Sequence, residues 1–60
     1  MYILKYRAPG KRPNTTRWAK RQVESTRAAV EWMNQNKETA FIPAFVETNT
    51  WRPETVAILG

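Results

Sequence analysis

The sequence predicts an α+β fold of the ββαβ type, with one helix packed on a three-stranded antiparallel sheet. Three observations carry that expectation. A helical repeat runs through Ser25–Asn36, segments rich in strand formers lie on both sides of it, and Pro, Gly and Asn punctuate the junctions. In the helical stretch, Thr26, Ala29, Val30 and Met33 recur at i, i+3, i+4 and i+7, which puts four side chains on one helix face.

The elements follow in chain order. Tyr2–Tyr6 is rich in strand formers, with Tyr2, Leu4 and Tyr6 on one face and Ile3 and Lys5 on the other. Two prolines, a glycine and an asparagine in Ala8–Asn14 then predict a turn, because Pro fixes φ while Gly and Asn tolerate positive φ. Thr15–Val23 fits two periods. As a helix it would extend the later repeat backwards, and as a strand it alternates Thr16, Trp18, Lys20 and Gln22 with Thr15, Arg17, Ala19, Arg21 and Val23. The strand reading is preferred, since Thr-Thr and Trp favour extended backbone and Glu24-Ser25-Thr26 resembles a capping junction.

Either Ser25 or Thr26 supplies the N-cap hydroxyl, and about three turns, roughly 18 Å, reach to Asn34–Asn36. After a polar turn at Asn36–Thr39, the run Ala40–Glu47 forms the third strand, with Phe41 and Phe45 on one face and Ile42, Ala44 and Val46 on the other. Pro43 lacks a ladder donor and so assigns this strand to a sheet edge, in the order 2-1-3. The expected core is Ile3 or its neighbours Leu4 and Tyr6, with Ala29, Val30, Met33, Phe41, Phe45 and Val46. The domain is expected over residues 1–48. Residues 49–60 form an apolar tail that docks on the sheet, adds a short strand or awaits a partner.

Sixty residues make one domain near the lower limit of independent folding, with no room for a large internal active site. Cysteine, histidine and aspartate are all absent. Disulfide staples and thiolate metal sites are thereby excluded, along with the commonest general base. Glu24, Glu31 and Glu38 recur every seven residues along one solvated stripe, and Gly10-Lys11 lacks the glycine spacing of a phosphate-binding loop. The expectation is a non-enzymatic protein with no cofactor and no metal. Tyr2-Ile3-Leu4 is too short for a signal-peptide core or a spanning helix, and the chain reads as a soluble cytoplasmic protein complete from Met1.

Charge is distributed unevenly. Residues 1–27 hold eight cations against Glu24, giving +7, while residues 28–60 hold Lys37 and Arg52 against four glutamates, giving −2. Such asymmetry marks a basic surface suited to a polyanion or an acidic protein face. Arg7, Lys11, Arg12, Arg17, Lys20 and Arg21 fall on the first hairpin together with Lys5, and Tyr6 and Trp18 are interleaved. Cations contact phosphates and flat aromatics stack on bases, so the candidate binding residues are those six with Trp18, and the first expected partner is nucleic acid. Trp18 also fits a sheet-covering role, and Trp32 lies beside the helix stripe. Trp51 and Arg52 form a second candidate, a partner hot spot, although Trp51 also fits a lid on the sheet. Edge strands give a third possibility, pairing with another protein or with a second copy as a homodimer.

The element order over Tyr2–Glu47, the helix sequence Ala28-Ala29-Val30-Glu31-Trp32 and the later Trp51-Arg52-Pro53 resemble small phage-encoded host-takeover proteins, in the layout of the T7-type inhibitor of bacterial RNA polymerase. That inhibitor is strongly acidic, unlike this basic chain, so no target or binding residue carries over. The resemblance implies a small binding protein without catalytic activity, and makes an inhibitor or adaptor docking on an acidic host protein surface the alternative function.

Overall fold

The computed structural model describes all residues, 1–60. Its elements are β1 (Tyr2–Pro9), β2 (Thr16–Val23), α1 (Thr26–Gln35), β3 (Phe41–Thr48) and β4 (Thr55–Leu59). The fold is α+β, but its order is ββαββ and its antiparallel sheet has four strands, β2-β1-β3-β4. The expectation of three strands fails at the tail. Thr55–Leu59 includes three β-branched residues, Thr55, Val56 and Ile58, and it pairs with β3 through Ala44–Leu59, Phe45–Ile58 and Val46–Ala57.

β1 and β2 pair without irregularity from Tyr2–Val23 to Pro9–Thr16, so Thr16–Val23 is a strand. Their turn closes through Gly10 N–H to the Thr15 carbonyl at 2.9 Å, with Asn14 at φ 62°. A Cβ on Gly10 would collide with the Thr15 hydroxyl, which itself donates to the Arg12 carbonyl at 2.6 Å. Glycine is required there by close approach.

Of the two cap candidates it is Ser25 that caps α1, its Oγ accepting from Ala28 N–H at 3.0 Å. The helix ends at Asn36, whose amide side chain donates to the Trp32 carbonyl at 2.8 Å. With ten residues, α1 is not long or apolar enough to cross a membrane.

The helix covers one face of the sheet. Leu4, Ala29, Ala44 and Val46 are fully buried there, with Val23, Met33 and Ala40 beside them and Tyr2, Tyr6, Trp32, Ala57 and Leu59 packed around the margin. Alanine in both layers lets helix and sheet approach closely, as dense packing requires. Of the β1 alternatives this arrangement buries Leu4, and it corrects three expected core residues, Phe41, Phe45 and Val30. Ile3 and Phe45 alternate onto the opposite face, Phe41 is only half-buried, and Val30 is 40% exposed because the buried stripe centres on Ala29 and Met33.

Pro43 does not mark an edge strand, since β3 lies between β1 and β4. The β1–β3 register shifts between Lys5 and Arg7, and the β3–β4 pairs begin at Ala44. Pro43 therefore sits in an irregular stretch where no regular ladder requires its missing N–H.

These assignments can be checked by denaturation. Leu4→Ala is expected to lower the unfolding free energy by about 2–5 kcal/mol, the range for deleting a buried leucine. Ile3→Ala on the opposite face is expected to cost well under half as much in urea titrations followed by circular dichroism, and equal losses would contradict the assignment of the faces.

Candidate functional site

One helix leaves the second face of the sheet open. Strand alternation sends Ile3, Lys5 and Arg7 to that face from β1, opposite Gln22, Lys20 and Trp18 of β2. From β3 come Glu47 and Phe45, opposite Ile3 and Lys5, and from β4 comes Ile58, opposite Phe45.

Trp18 and Phe45 approach each other across β1, with ring centroids 5.9 Å apart and planes tilted by 35°. Trp18 stays 49% exposed. The Arg7 guanidinium lies 4.7 Å from the Trp18 ring centroid and donates to Thr16 Oγ1 at 3.0 Å, so this arginine is held in place by two contacts. Lys5 pairs with Glu47 at 2.6 Å. Glu47 Oε1 is out of water and has no other partner, so the glutamate neutralises Lys5 and leaves Arg7 and Lys20 as the uncompensated cations of the face. Trp18, Phe45, Lys5, Lys20, Glu47 and Thr55 border an open depression of about 510 Å³.

The pleat divides the residues singled out by sequence. Arg7, Trp18 and Lys20 share the open face. Lys11 and Arg12 are exposed in the β1–β2 turn at one end of the sheet. Arg17 and Arg21 lie opposite Ala8 and Leu4, on the helix side of β2. There the Arg21 guanidinium stacks 4.5 Å from the Trp32 ring, whose neighbour on the same side is Tyr6 at 4.9 Å. Tyr6 thus belongs to the packing under the helix, away from Trp18.

Trp51 and Arg52 occupy the β3–β4 turn, near Met1 and at the opposite end of the sheet from Lys11. With strands of eight residues, the two ends are about 26 Å apart. Trp51 is 85% exposed, with the Arg52 guanidinium 4.6 Å from its ring. The turn is tied by Thr48 Oγ1, which accepts from Glu54 N–H at 3.0 Å, and by the Thr50 hydroxyl donating to the Arg52 carbonyl at 2.9 Å.

No protein-family model matches this chain, and no curated protein or solved structure is significantly similar to it. The face must be read from its own chemistry.

Phe45 is absent from the site residues that the sequence predicts, and Lys5 counts there only as one cation of the hairpin. The signal for Phe45 lies in its neighbours: Ala44 and Val46 suit a close-packed helix face better than a phenylalanine does, which sends Phe45 to the other side. Lys5 follows from Phe45, because the two are paired across the ladder.

The three tryptophans should report these environments separately. In single-tryptophan proteins with the other two replaced by Phe, acrylamide quenching is expected to be strongest for Trp51, intermediate for Trp18 and weakest for Trp32; a Trp18 quenched no more than Trp32 would mean that the second face is covered.

Proposed function

We propose that the protein binds single-stranded nucleic acid across the open face of its sheet. The observation that carries this reading is the half-exposed Trp18 beside Phe45, held under Arg7 on the uncovered face of a chain with net charge +5. Aromatic faces accept any base by stacking, and nearby cations follow the backbone. Two rings on a rigid sheet are fixed before binding, so little side-chain freedom is lost on contact. Lys20 and Arg7 border the rings, and Lys11 and Arg12 extend the positive track beyond the β1–β2 turn. Arg17, on the far side of β2, adds to the field, while Arg21 is engaged with Trp32.

A single strand suits this surface better than a duplex. Duplex reading calls for a helix or a two-stranded ribbon that enters the major groove, whereas here the aromatics lie within a broad sheet face and need unstacked bases. The reading is one of binding alone.

A second reading, docking on an acidic surface of a host protein, is favoured by one feature. Trp51 and Arg52 project together from a tied turn, and exposed Trp and Arg are the residue types that dominate protein hot spots.

Fluorescence anisotropy with short labelled RNA and DNA, single- and double-stranded, distinguishes the two across a salt series. If Arg7, Lys11, Arg12 and Lys20 each neutralise one phosphate of a single strand, log affinity falls with log salt at a slope of about −2.8. Trp18→Ala is expected to weaken binding by about 5- to 150-fold, the range for one stacked base, with the slope unchanged. Failure of every oligonucleotide to bind at low salt, or unchanged affinity in Trp18→Ala, would overturn this reading and leave the Trp51 turn as the docking element.

A further inference from the structure

The sheet has two free edges of opposite character. β2 presents eight residues bearing Arg17, Lys20 and Arg21 with no acidic residue among them, so two copies meeting edge to edge through β2 would place like charges side by side. β4 presents Thr55-Val56-Ala57-Ile58-Leu59, which carries no charge. It pairs with β3 on one side, and its other side has no partner in the sheet. Val56 is 45% exposed and Ile58 67%, so the least charged edge also displays large aliphatic side chains to water.

An exposed aliphatic edge strand is an unsatisfied ladder and a template for another strand. The electrostatics select the occupant. The net +5 of the chain opposes self-association in general, but its excess lies in residues 1–27, and β4 belongs to the part that carries −2. Two copies joined at β4 bring their least positive sides together and keep both β2 strands at the outer margins.

We infer that β4 is the seam of a symmetric homodimer, formed by antiparallel pairing of β4 with β4 of a second copy. In a register centred on Ala57, Val56 of each copy meets Ile58 of the other, giving two aliphatic cross-strand pairs. The twofold axis stands perpendicular to the sheet. The result is one eight-stranded sheet, β2-β1-β3-β4-β4-β3-β1-β2, with both helices on one side and both open faces on the other. The contact is isologous and closed, so association stops at two. This inference rests on the edge strands and is independent of what the open face binds.

Sedimentation equilibrium of the full chain over a wide concentration range tests it. The expected result is twice the mass of one chain, falling to a single chain's mass in Ile58→Lys and in Val56→Lys. Each substitution places a cation at an exposed position, so the circular dichroism of the monomer is expected to persist. Arg17→Ala, on the other edge, is expected to leave the dimer mass unchanged. A single-chain mass up to the solubility limit, a mass that rises beyond two chains through β4-to-β2 pairing, or a dimer that survives both lysine variants would each overturn it.

Discussion

One helix can cover only one face of a sheet, and the rest of this structure follows from that limit. Four strands span roughly 19 Å from edge to edge, and a helix with its side chains is about 10–12 Å across. The helix therefore sits over the middle, on Leu4, Ala44 and Val46, while Val23, Tyr6, Ala57 and Leu59 complete the covered layer. Its fully buried side chains are small, and the largest are Leu4 and Val46. Such a core permits little loss: a methylene group removed from it is a substantial part of the stability of so small a domain.

The other face is held together differently. Its contacts are the Arg7–Trp18 stack, the Trp18–Phe45 pair and the Lys5–Glu47 ion pair, at a surface that water reaches except at Glu47 Oε1. Each of the first two is worth about 0.5–1.5 kcal/mol, enough to orient side chains but not to seal the face. The same strands thus present a packed layer to the helix and an ordered, cationic, aromatic layer to solvent. A surface of that kind is suited to recognition, because its side chains are positioned by backbone pairing and do not depend on a mobile loop.

Much of this was legible in the sequence, and the exceptions have physical causes. The helix was readable because period and cap agree at Ser25, and the first hairpin because Gly10 and Asn14 mark its turn. From sequence the fourth strand is only one fate of the tail, since five residues with no turn signature of their own show strandedness only through the partner they meet. Pro43 misled because the rule against proline in inner strands applies to regular ladders, and here the ladder is irregular. Phe45 reads as core in the sequence because hydrophobicity ranks it above Ala44, whereas a closely packed helix requires the smaller side chain. The basic residues of the candidate site were identified in number but not in direction. Arg17 and Arg21 alternate with Trp18 and Lys20, so the pleat separates them as soon as the buried face is known.

The central claim is that the uncovered sheet face is the recognition surface. Titration of a short single-stranded oligonucleotide into isotopically labelled protein, followed by NMR amide and indole shifts, tests it most directly. The account predicts that Arg7, Lys20, Phe45 and the Trp18 indole Nε1–H move together while the Trp32 indole and Thr26–Gln35 stay in place. Shifts centred on the helix, or confined to the Trp51 turn, would contradict it.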